Sequence, residues 1–207
     1  MRGYPPLPKS IAGIRVPQDD ISARAWSWAH ANLPDYLLTH SIRAYCWGGA
    51  IAEGEGWSFD APILWTAALL HDFGLTTIPR NKQCFEVEGA EVARRFVTRY
   101  GMPAHRADRV AAAIVMHMQP TVTLEDGVES VLLDRATGLD VRGDGFDLVD
   151  AVRPAVMAEF PRRAFDRRFL AAIRREVTSR QGCQSDRLLN TKGLAAWMDR
   201  SPWRSAS

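Results

Sequence analysis

The chain has 207 residues, of which 46% are hydrophobic and 24% are charged, and its formal net charge is +2. This hydrophobic content is ample for one sizeable core, so we expect a single folded domain. The near-neutral charge gives no electrostatic case for nucleic acid or anionic lipid as a partner, and the arginine-rich run at residues 162–175 is expected to be a solvated helix face.

Three cysteines, Cys46, Cys84 and Cys183, are far apart and odd in number. This pattern argues against a disulfide framework and against a thiolate zinc site, and it fits a reducing cytoplasm. Prolines occupy the N-terminus where a signal peptide needs an apolar core, and no stretch reaches the length of a membrane span. The sequence therefore predicts a cytoplasmic protein with no membrane partner.

Taken in chain order, residues 1–17 are Pro-rich and lack periodicity, so we expect an extended N-terminal arm. Residues 18–207 show helical periodicity, with no alternating pattern long enough for a strand. The expected helices cover residues 19–31, 34–53, 61–74, 86–100, 103–117, 124–136, 162–178 and 186–198. The sequence therefore predicts an all-α fold, a single-domain helical bundle that follows the arm.

The helix expected at residues 61–74 organises the rest of the chain. Pro62 suits its first turn, and its apolar run is too short to span a bilayer but suits a buried helix. It ends in the adjacent pair His71-Asp72, with Gly74 as the expected stop signal. Burying an imidazole and a carboxylate costs free energy unless a partner compensates them, and a metal ion is the most direct partner.

Two capping signals locate helix starts. Asp60 is a plausible N-cap for the helix at residues 61–74. Thr123 with Asp126 resembles a capping box for a helix through Ala136, although the usual box has Glu or Gln at the last position. This boundary places Asp140 close to the C-terminal end of that helix.

Five polar residues fall on buried or terminal helix positions and offer only nitrogen and oxygen donors: His40, His71, Asp72, His117 and Asp140. Such donors suit Zn²⁺, Fe²⁺ or Mn²⁺, and helical bundles build metal sites from inward side chains on facing helices. Taken singly, His40 is also explained as a core histidine bonded to a backbone carbonyl, and His71-Asp72 as a capped pair. The joint pattern favours a metal site.

The order His40, His71-Asp72, Asp140 resembles the ligand motif of the HD superfamily. Four stretches are similar to the cyanamide hydratase branch: HSIRAYCWG (40–48), AALLHDFGLT (67–76), FEVEGAE (85–91) and ATGLDVRG (136–143). The resemblance implies an HD-type helical bundle with a buried site. In that site His40, His71, Asp72 and Asp140 would bind one divalent ion, zinc first, with iron or manganese as alternatives.

The resemblance also implies roles for the remaining residues. His117 would serve as an acid/base residue beside Asp72, which we favour, or would replace Asp140 as fourth ligand. Glu86 and Glu88 stand where two-metal members have a further histidine, so we expect a single ion.

Three residues, Thr77, Phe85 and Glu86, are expected to border the substrate pocket. A loop threonine and a capping glutamate are equally ordinary explanations for Thr77 and Glu86.

The activity implied by the resemblance is that of a lyase that hydrates a small nitrile, with a metal-activated water converting cyanamide to urea. The main alternative is an HD-type phosphohydrolase acting on a nucleotide or another phosphate ester, with Arg80 and Lys82 holding the phosphate. Both activities imply a small-molecule substrate. The sequence leaves open the native metal, the physiological substrate and assembly into a homo-oligomer.

Overall fold

The computed structural model describes residues 5–76 and 83–204, with only the backbone of Arg204. Its helices are α1 Asp20–Asn32, α2 Asp35–Glu55, α3 Ala61–Leu70, α4 Phe85–Arg99, α5 Ala104–Met116, α6 Val128–Arg142, α7 Arg153–Glu159, α8 Phe165–Ser179, α9 Gln184–Asp186 and α10 Leu194–Arg200. The all-α prediction is confirmed. Within the described ranges, no helix has the length and apolar character needed to cross a membrane.

Helix α3 lies at the centre of the bundle, where it contacts α1, α2, α4, α5 and α6. Its first turn contains Pro62, and Asp60 accepts a hydrogen bond from the backbone N–H of Ile63 at 3.3 Å, as predicted. Eight of its ten residues are buried. Because α3 is covered on all sides, the pair that follows it, His71 and Asp72, is delivered into the core.

The end of α3 differs from the prediction. The helix stops at Leu70, and a 3-10 turn, Phe73–Thr76, follows His71-Asp72. Gly74 lies in this turn, where an added Cβ would come within 2.1 Å of the Phe85 carbonyl oxygen. Gly74 therefore permits the start of α4 to lie directly against the turn, rather than acting as the helix stop signal.

Helix α6 is longer than predicted. The Thr123–Asp126 capping box is present, but it closes a separate 3-10 turn, Leu124–Asp126. Helix α6 begins only at Val128 and continues to Arg142. Asp140 is consequently a buried residue inside the helix rather than one beyond its end.

The C-terminal region departs furthest from the predicted pattern. Helix α7 lies where the sequence shows no helical signal, whereas α8 agrees with the helix expected there. The helix expected at residues 186–198 is broken into α9, a π-helical turn at Arg187–Thr191, and α10. Gly193 has a φ of 70°, so the chain leaves the helical conformation at this point and cannot form one continuous helix.

The N-terminal arm contains a two-stranded antiparallel hairpin, β1 Ser10–Ile11 with β2 Ile14–Arg15. The expectation of no strand is wrong here because two residues per strand are too few for a visible alternating period. Ile11 is fully buried, and Tyr45 on α2 donates a hydrogen bond to the Arg15 carbonyl at 2.7 Å. The arm is thus packed on the bundle.

Cys84 and Cys183 form a disulfide, which overturns the expectation that the cysteines are unpaired. The two residues are 99 positions apart, and spacing alone did not reveal that the fold brings the start of α4 to the start of α9. The remaining cysteine, Cys46, is free and buried. The disulfide links the helix that begins with Phe85 to the C-terminal segment.

Candidate metal centre

Three buried side chains from two elements bring their donor atoms together. His40 lies on α2, and His71 and Asp72 lie in the turn after α3. The Nε2 atoms of the two histidines are 3.2 Å apart, and Asp72 Oδ2 is 3.3 Å from Nε2 of His71 and 3.5 Å from Nε2 of His40. All three residues are at most 2% exposed. We call this group the trio.

The other ring nitrogens fix the protonation of the two histidines. Nδ1 of His71 lies 2.8 Å from the carbonyl oxygen of Ala68, which only accepts, so this nitrogen carries the proton. Nδ1 of His40 donates to the Asp140 carboxylate at 2.7 Å. In the neutral form of each ring, Nε2 therefore carries a lone pair. Two lone pairs and a carboxylate oxygen face one another, an arrangement that a cation stabilises.

The Oδ2 atom of Asp72 provides the test of whether a metal fits. It is buried, and it has no hydrogen-bond partner among the described residues. A tetrahedral zinc site, with Zn–N bonds of about 2.0–2.1 Å, separates neighbouring ligand atoms by about 3.3 Å. The observed separations of 3.2, 3.3 and 3.5 Å match that value. The trio therefore fits a divalent ion in both donor chemistry and spacing.

Asp140 lies on the opposite side of the His40 ring from the trio. Its carboxylate accepts two hydrogen bonds from the Arg43 guanidinium, at 2.7 and 2.8 Å, and one from Trp47 Nε1 at 2.8 Å. Together with His40 Nδ1, these donors occupy both carboxylate oxygens. Asp140 is thereby a fully compensated carboxylate that orients His40.

The structure brings together three of the four expected ligands. The donor atoms that lie within 4.8 Å of one another belong to His40, His71 and Asp72, and Asp140 is not in that group. The physical reason is Arg43, which follows His40 by almost one helical turn on α2 and captures the carboxylate on the Nδ1 side of the ring. The linear order of the motif does not indicate which ring nitrogen an aspartate will meet.

Arg162 also takes part in the hydrogen bonds around Asp140. Its guanidinium donates to the backbone carbonyl of Asp140 and to the carboxylate of Asp166, and its side chain is only 5% exposed. The expectation of a solvated arginine face is wrong for this residue, because its side chain, which precedes α8, is buried against Asp140 of α6.

His117 lies at the C-terminal end of α5, beside the trio. Its ring meets the His71 ring edge to face, with centroids 4.9 Å apart, and its Nδ1 donates to the Ile114 carbonyl. Its Nε2 therefore carries a lone pair, and the described residues offer this atom no hydrogen bond. Its donor atom falls outside the group that converges within 4.8 Å.

Comparisons with known proteins agree with this site. The HD domain family model matches residues 37–142, a range that contains the trio, His117 and Asp140. The chain belongs to the HD domain family. Two proteins of Saccharomyces cerevisiae, cyanamide hydratase DDI2 and cyanamide hydratase DDI3, are each 30% identical to it over 162 residues, or 75% of this chain and 72% of theirs. HD domains bind divalent metals, and this one holds a buried His-His-Asp group.

A small cavity in this HD domain opens onto the trio. We call it the inner pocket. Its volume is about 30 Å³, which accommodates a water or the reacting end of a small molecule. Phe85 and Phe169 form its apolar wall, and His117 borders it. Phe85 is one of the three residues that were expected to border the substrate pocket, and it lines this cavity.

The other two residues expected at the substrate pocket are placed differently. Glu86 is buried but does not line the inner pocket, and its charged neighbours are Glu176 and Arg180. Thr77 lies outside the described residues, as do Arg80 and Lys82.

Sequence reasoning missed seven of the residues that line the inner pocket, and Thr137 and Gly138 on α6 are two of them. Both belong to the ATGLDVRG stretch that carries the family resemblance. Thr137 precedes Asp140 by three positions, so the two share a side of α6. That helical spacing is the signal that identifies Thr137.

The electrostatics of the HD site favour neutral rings at His40 and His117 and an ionised carboxylate at Asp72. Burial lowers the pKa of His40, and burial together with the neighbouring His71 lowers the pKa of His117 to about 3, so both rings are neutral at pH 7. Burial opposes ionisation of Asp72, but His71 outweighs it and the pKa falls to about 2. Burial likewise opposes protonation of His71, yet Asp72 raises its pKa. Positive charge is therefore favoured where the trio converges.

Proposed function

We propose that this HD domain hydrates a small nitrile, with cyanamide as the first candidate, and that His40, His71 and Asp72 hold the divalent ion on which the reaction depends. The observation that carries the proposal is the trio itself: two lone-pair nitrogens and an unpartnered carboxylate oxygen at ligand spacing, beside a pocket of about 30 Å³. The similarity to two yeast cyanamide hydratases supports the choice of substrate. Zinc is the proposed ion.

The overall reaction adds one water across the C≡N bond. The water oxygen bonds to the nitrile carbon, one π bond breaks, and both water hydrogens end on nitrogen, so that cyanamide yields urea after tautomerisation. A bound divalent ion lowers the pKa of the water that it coordinates toward neutrality. Phe85 and Phe169 exclude bulk water from the reacting end of the substrate.

His117 is the proposed proton carrier. Its Nδ1–H is committed to the Ile114 carbonyl, so Nε2 is the only ring atom that exchanges protons with the inner pocket. Burial and the neighbouring His71 lower the pKa of His117, so its ring is neutral before the reaction. Nε2 takes up one proton of the attacking water only as the C–O bond forms, and because the protonated ring is a strong acid, it returns that proton to the developing nitrogen anion. Asp140 fixes the orientation of His40 and takes no proton, since Arg43 outweighs burial and holds the pKa of this carboxylate well below its ordinary value.

The proposal is tested by urea formation from cyanamide. Protein stripped with a chelator is reconstituted with Zn²⁺, Fe²⁺ or Mn²⁺ and compared with His71→Ala and with His105→Ala, which changes an exposed histidine. We expect urea formation to require the ion and to fall by more than about 100-fold in His71→Ala, because removing a ligand exceeds the effect of removing its supporting partner. His105→Ala should retain wild-type activity. Metal-loaded wild type that forms no urea but hydrolyses p-nitrophenyl phosphate would replace this proposal with the phosphohydrolase alternative.

The metal content of a His117 variant distinguishes an acid/base role of this residue from a role as metal ligand. His117→Ala should lower urea formation by about 10²- to 10⁴-fold, as expected for loss of an acid/base group, while one ion per chain remains bound. Loss of the ion from His117→Ala would instead assign His117 as the fourth ligand.

A further inference from the structure

A second and larger cavity adjoins the inner pocket. We call it the outer cavity; its volume is about 250 Å³, against about 30 Å³ for the inner pocket. The two share four lining residues: His117, Met118, Arg142 and Leu188. A molecule that places its reacting group in the inner pocket therefore has its remaining atoms in the outer cavity.

The outer cavity is lined by three basic residues, Arg142, Arg187 and Lys192. Arg142 is paired with Asp144 at 2.5 Å, and its guanidinium lies 5.4 Å from the ring centroid of Trp197. Neither Arg187 nor Lys192 has an acidic partner within 4.0 Å in the described part of the chain. Arg187 begins the π-helical turn, and Lys192 follows it directly. A π-helical turn is a deviation from α-helical geometry that is frequent at functional sites.

A single acidic residue, Asp134, faces these groups among the described residues that line the outer cavity. Burial raises its pKa to about 6, so it is ionised at pH 7. With Asp144 offsetting Arg142 and Asp134 offsetting one further cation, the cavity retains an excess of one positive charge. Such a cavity is complementary to a monoanion.

Gly138 lines the inner pocket beside Arg142, which lines both cavities. An added Cβ at Gly138 would lie 2.5 Å from a terminal nitrogen of Arg142. The guanidinium therefore lies close against α6 at Gly138. Because Arg142 lines both cavities, it places a cation beside the inner pocket and the outer cavity alike.

We propose that the outer cavity binds the carboxylate of a small anionic nitrile whose C≡N group enters the inner pocket, with Arg187 and Lys192 as the principal anion-binding residues. This inference rests on the proposed nitrile hydration. It adds to the neutral nitrile cyanamide a second substrate class, small nitriles that carry one negative charge.

Calorimetric binding of cyanoacetate and of its neutral isostere cyanoacetamide to the metal-loaded protein tests the inference. The proteins compared are wild type, the double variant Arg187→Gln/Lys192→Gln, and Arg167→Gln, which removes an exposed arginine of α8 away from both cavities. Thermal unfolding establishes that each variant is folded. We expect wild type and Arg167→Gln to bind cyanoacetate at least about tenfold more tightly than cyanoacetamide, and the double variant to lose this preference.

Equal affinity for the two ligands in wild type, or an unchanged preference in the double variant, would overturn the inference. Inorganic phosphate that binds at least about tenfold more tightly than cyanoacetate would overturn the carboxylate assignment. Mass spectrometry of the same mixtures tests hydration separately, since adding water to cyanoacetate gives malonamate. Charge-dependent binding without hydration of any nitrile would support the anion site and refute the proposed reaction.

Discussion

Two buried aspartates lie on opposite sides of one histidine, and their surroundings differ completely. Asp140, at Nδ1 of His40, accepts hydrogen bonds from Arg43, Trp47 and His40, and it is 0% exposed. Asp72, near Nε2 of the same ring, is 2% exposed, and its Oδ2 has no hydrogen-bond partner among the described residues. The fold compensates one carboxylate with its own donors and leaves the other facing lone pairs.

The difference separates a carboxylate that the protein compensates with its own donors from one whose surroundings fit a cation. A buried charge that the protein itself neutralises stabilises the packing around it, and removing one partner leaves the other uncompensated. A buried carboxylate oxygen that faces two imidazole lone pairs has its compensation only in a cation. Burial alone does not distinguish the two aspartates; the partners of each oxygen do.

We expect the largest effect from removing the charge of Asp140, the aspartate that the protein compensates with its own donors. Asp140→Asn leaves the Arg43 guanidinium buried without its counter-charge, so we expect a loss of about 3–5 kcal/mol in the free energy of unfolding. Urea denaturation of the chelator-treated protein measures this loss. Asp108→Asn removes an exposed partner of Arg94 and should cost less than about 1 kcal/mol. Equal losses in the two variants would contradict a structural role for Asp140.

The Cys84–Cys183 disulfide is a covalent link that involves neither aspartate. Its contribution to stability can therefore be compared with that of the hydrogen bonds around Asp140. Reducing Cys84–Cys183, or replacing Cys183 by Ser, opens a link across 99 residues and should lower the free energy of unfolding by about 2–4 kcal/mol. Denaturant unfolding with and without reductant measures the effect. In Cys183→Ser the reductant should have no further effect; a reductant-dependent loss there would mean that the disulfide is not its source.

Glu86 is a third buried carboxylate, and its surroundings can be compared with those of the two aspartates. Its Oε2 also lacks a hydrogen-bond partner in the described residues, and burial, reinforced by Glu176, raises its pKa from 4.5 to about 7. The folded state then binds more protons than the unfolded state between these values, so stability falls as pH rises through this window. Unlike Asp72, Glu86 compensates its burial by remaining protonated.

We expect Glu86→Gln to remove a pH-dependent loss of about 2–3 kcal/mol between pH 5 and pH 8. Urea unfolding at both pH values measures it. Glu91→Gln, at an exposed position of the same helix, should keep the wild-type pH dependence. A Glu86→Gln profile parallel to that of wild type would show that Glu86 ionises normally.

Local signals in the sequence were sufficient for most helices and for the residues of the trio. The Asp60 cap and Pro62 located α3, and the apolar run before His71 placed the pair in the core. What the sequence could not show depends on contacts between distant residues. Asp140 and His40 are 100 positions apart, and only the packed structure reveals that they meet through Nδ1 with Arg43 between α2 and α6. The same limit applies to Cys84 and Cys183.

The boundaries missed in the sequence have local physical causes. The capping box at Thr123 is present but closes a 3-10 turn, so the predicted helix both begins and ends too early in comparison with α6. The left-handed conformation at Gly193 breaks the last predicted helix. In that region the broken helix supplies Arg187 and Lys192 to the outer cavity, which no helical periodicity would have indicated.

The thermal unfolding midpoint of wild type and Asp72→Asn, each with and without saturating Zn²⁺, tests most directly whether Asp72 is built for a cation. Without metal, Asp72→Asn loses the interaction with His71 that lowers the Asp72 pKa to about 2, so we expect its midpoint to lie below that of wild type. Zinc at about 100 times its dissociation constant should raise the wild-type midpoint by about 5–10 °C and leave the variant unchanged. A zinc shift in Asp72→Asn as large as that of wild type would contradict the assignment of Asp72 as a ligand.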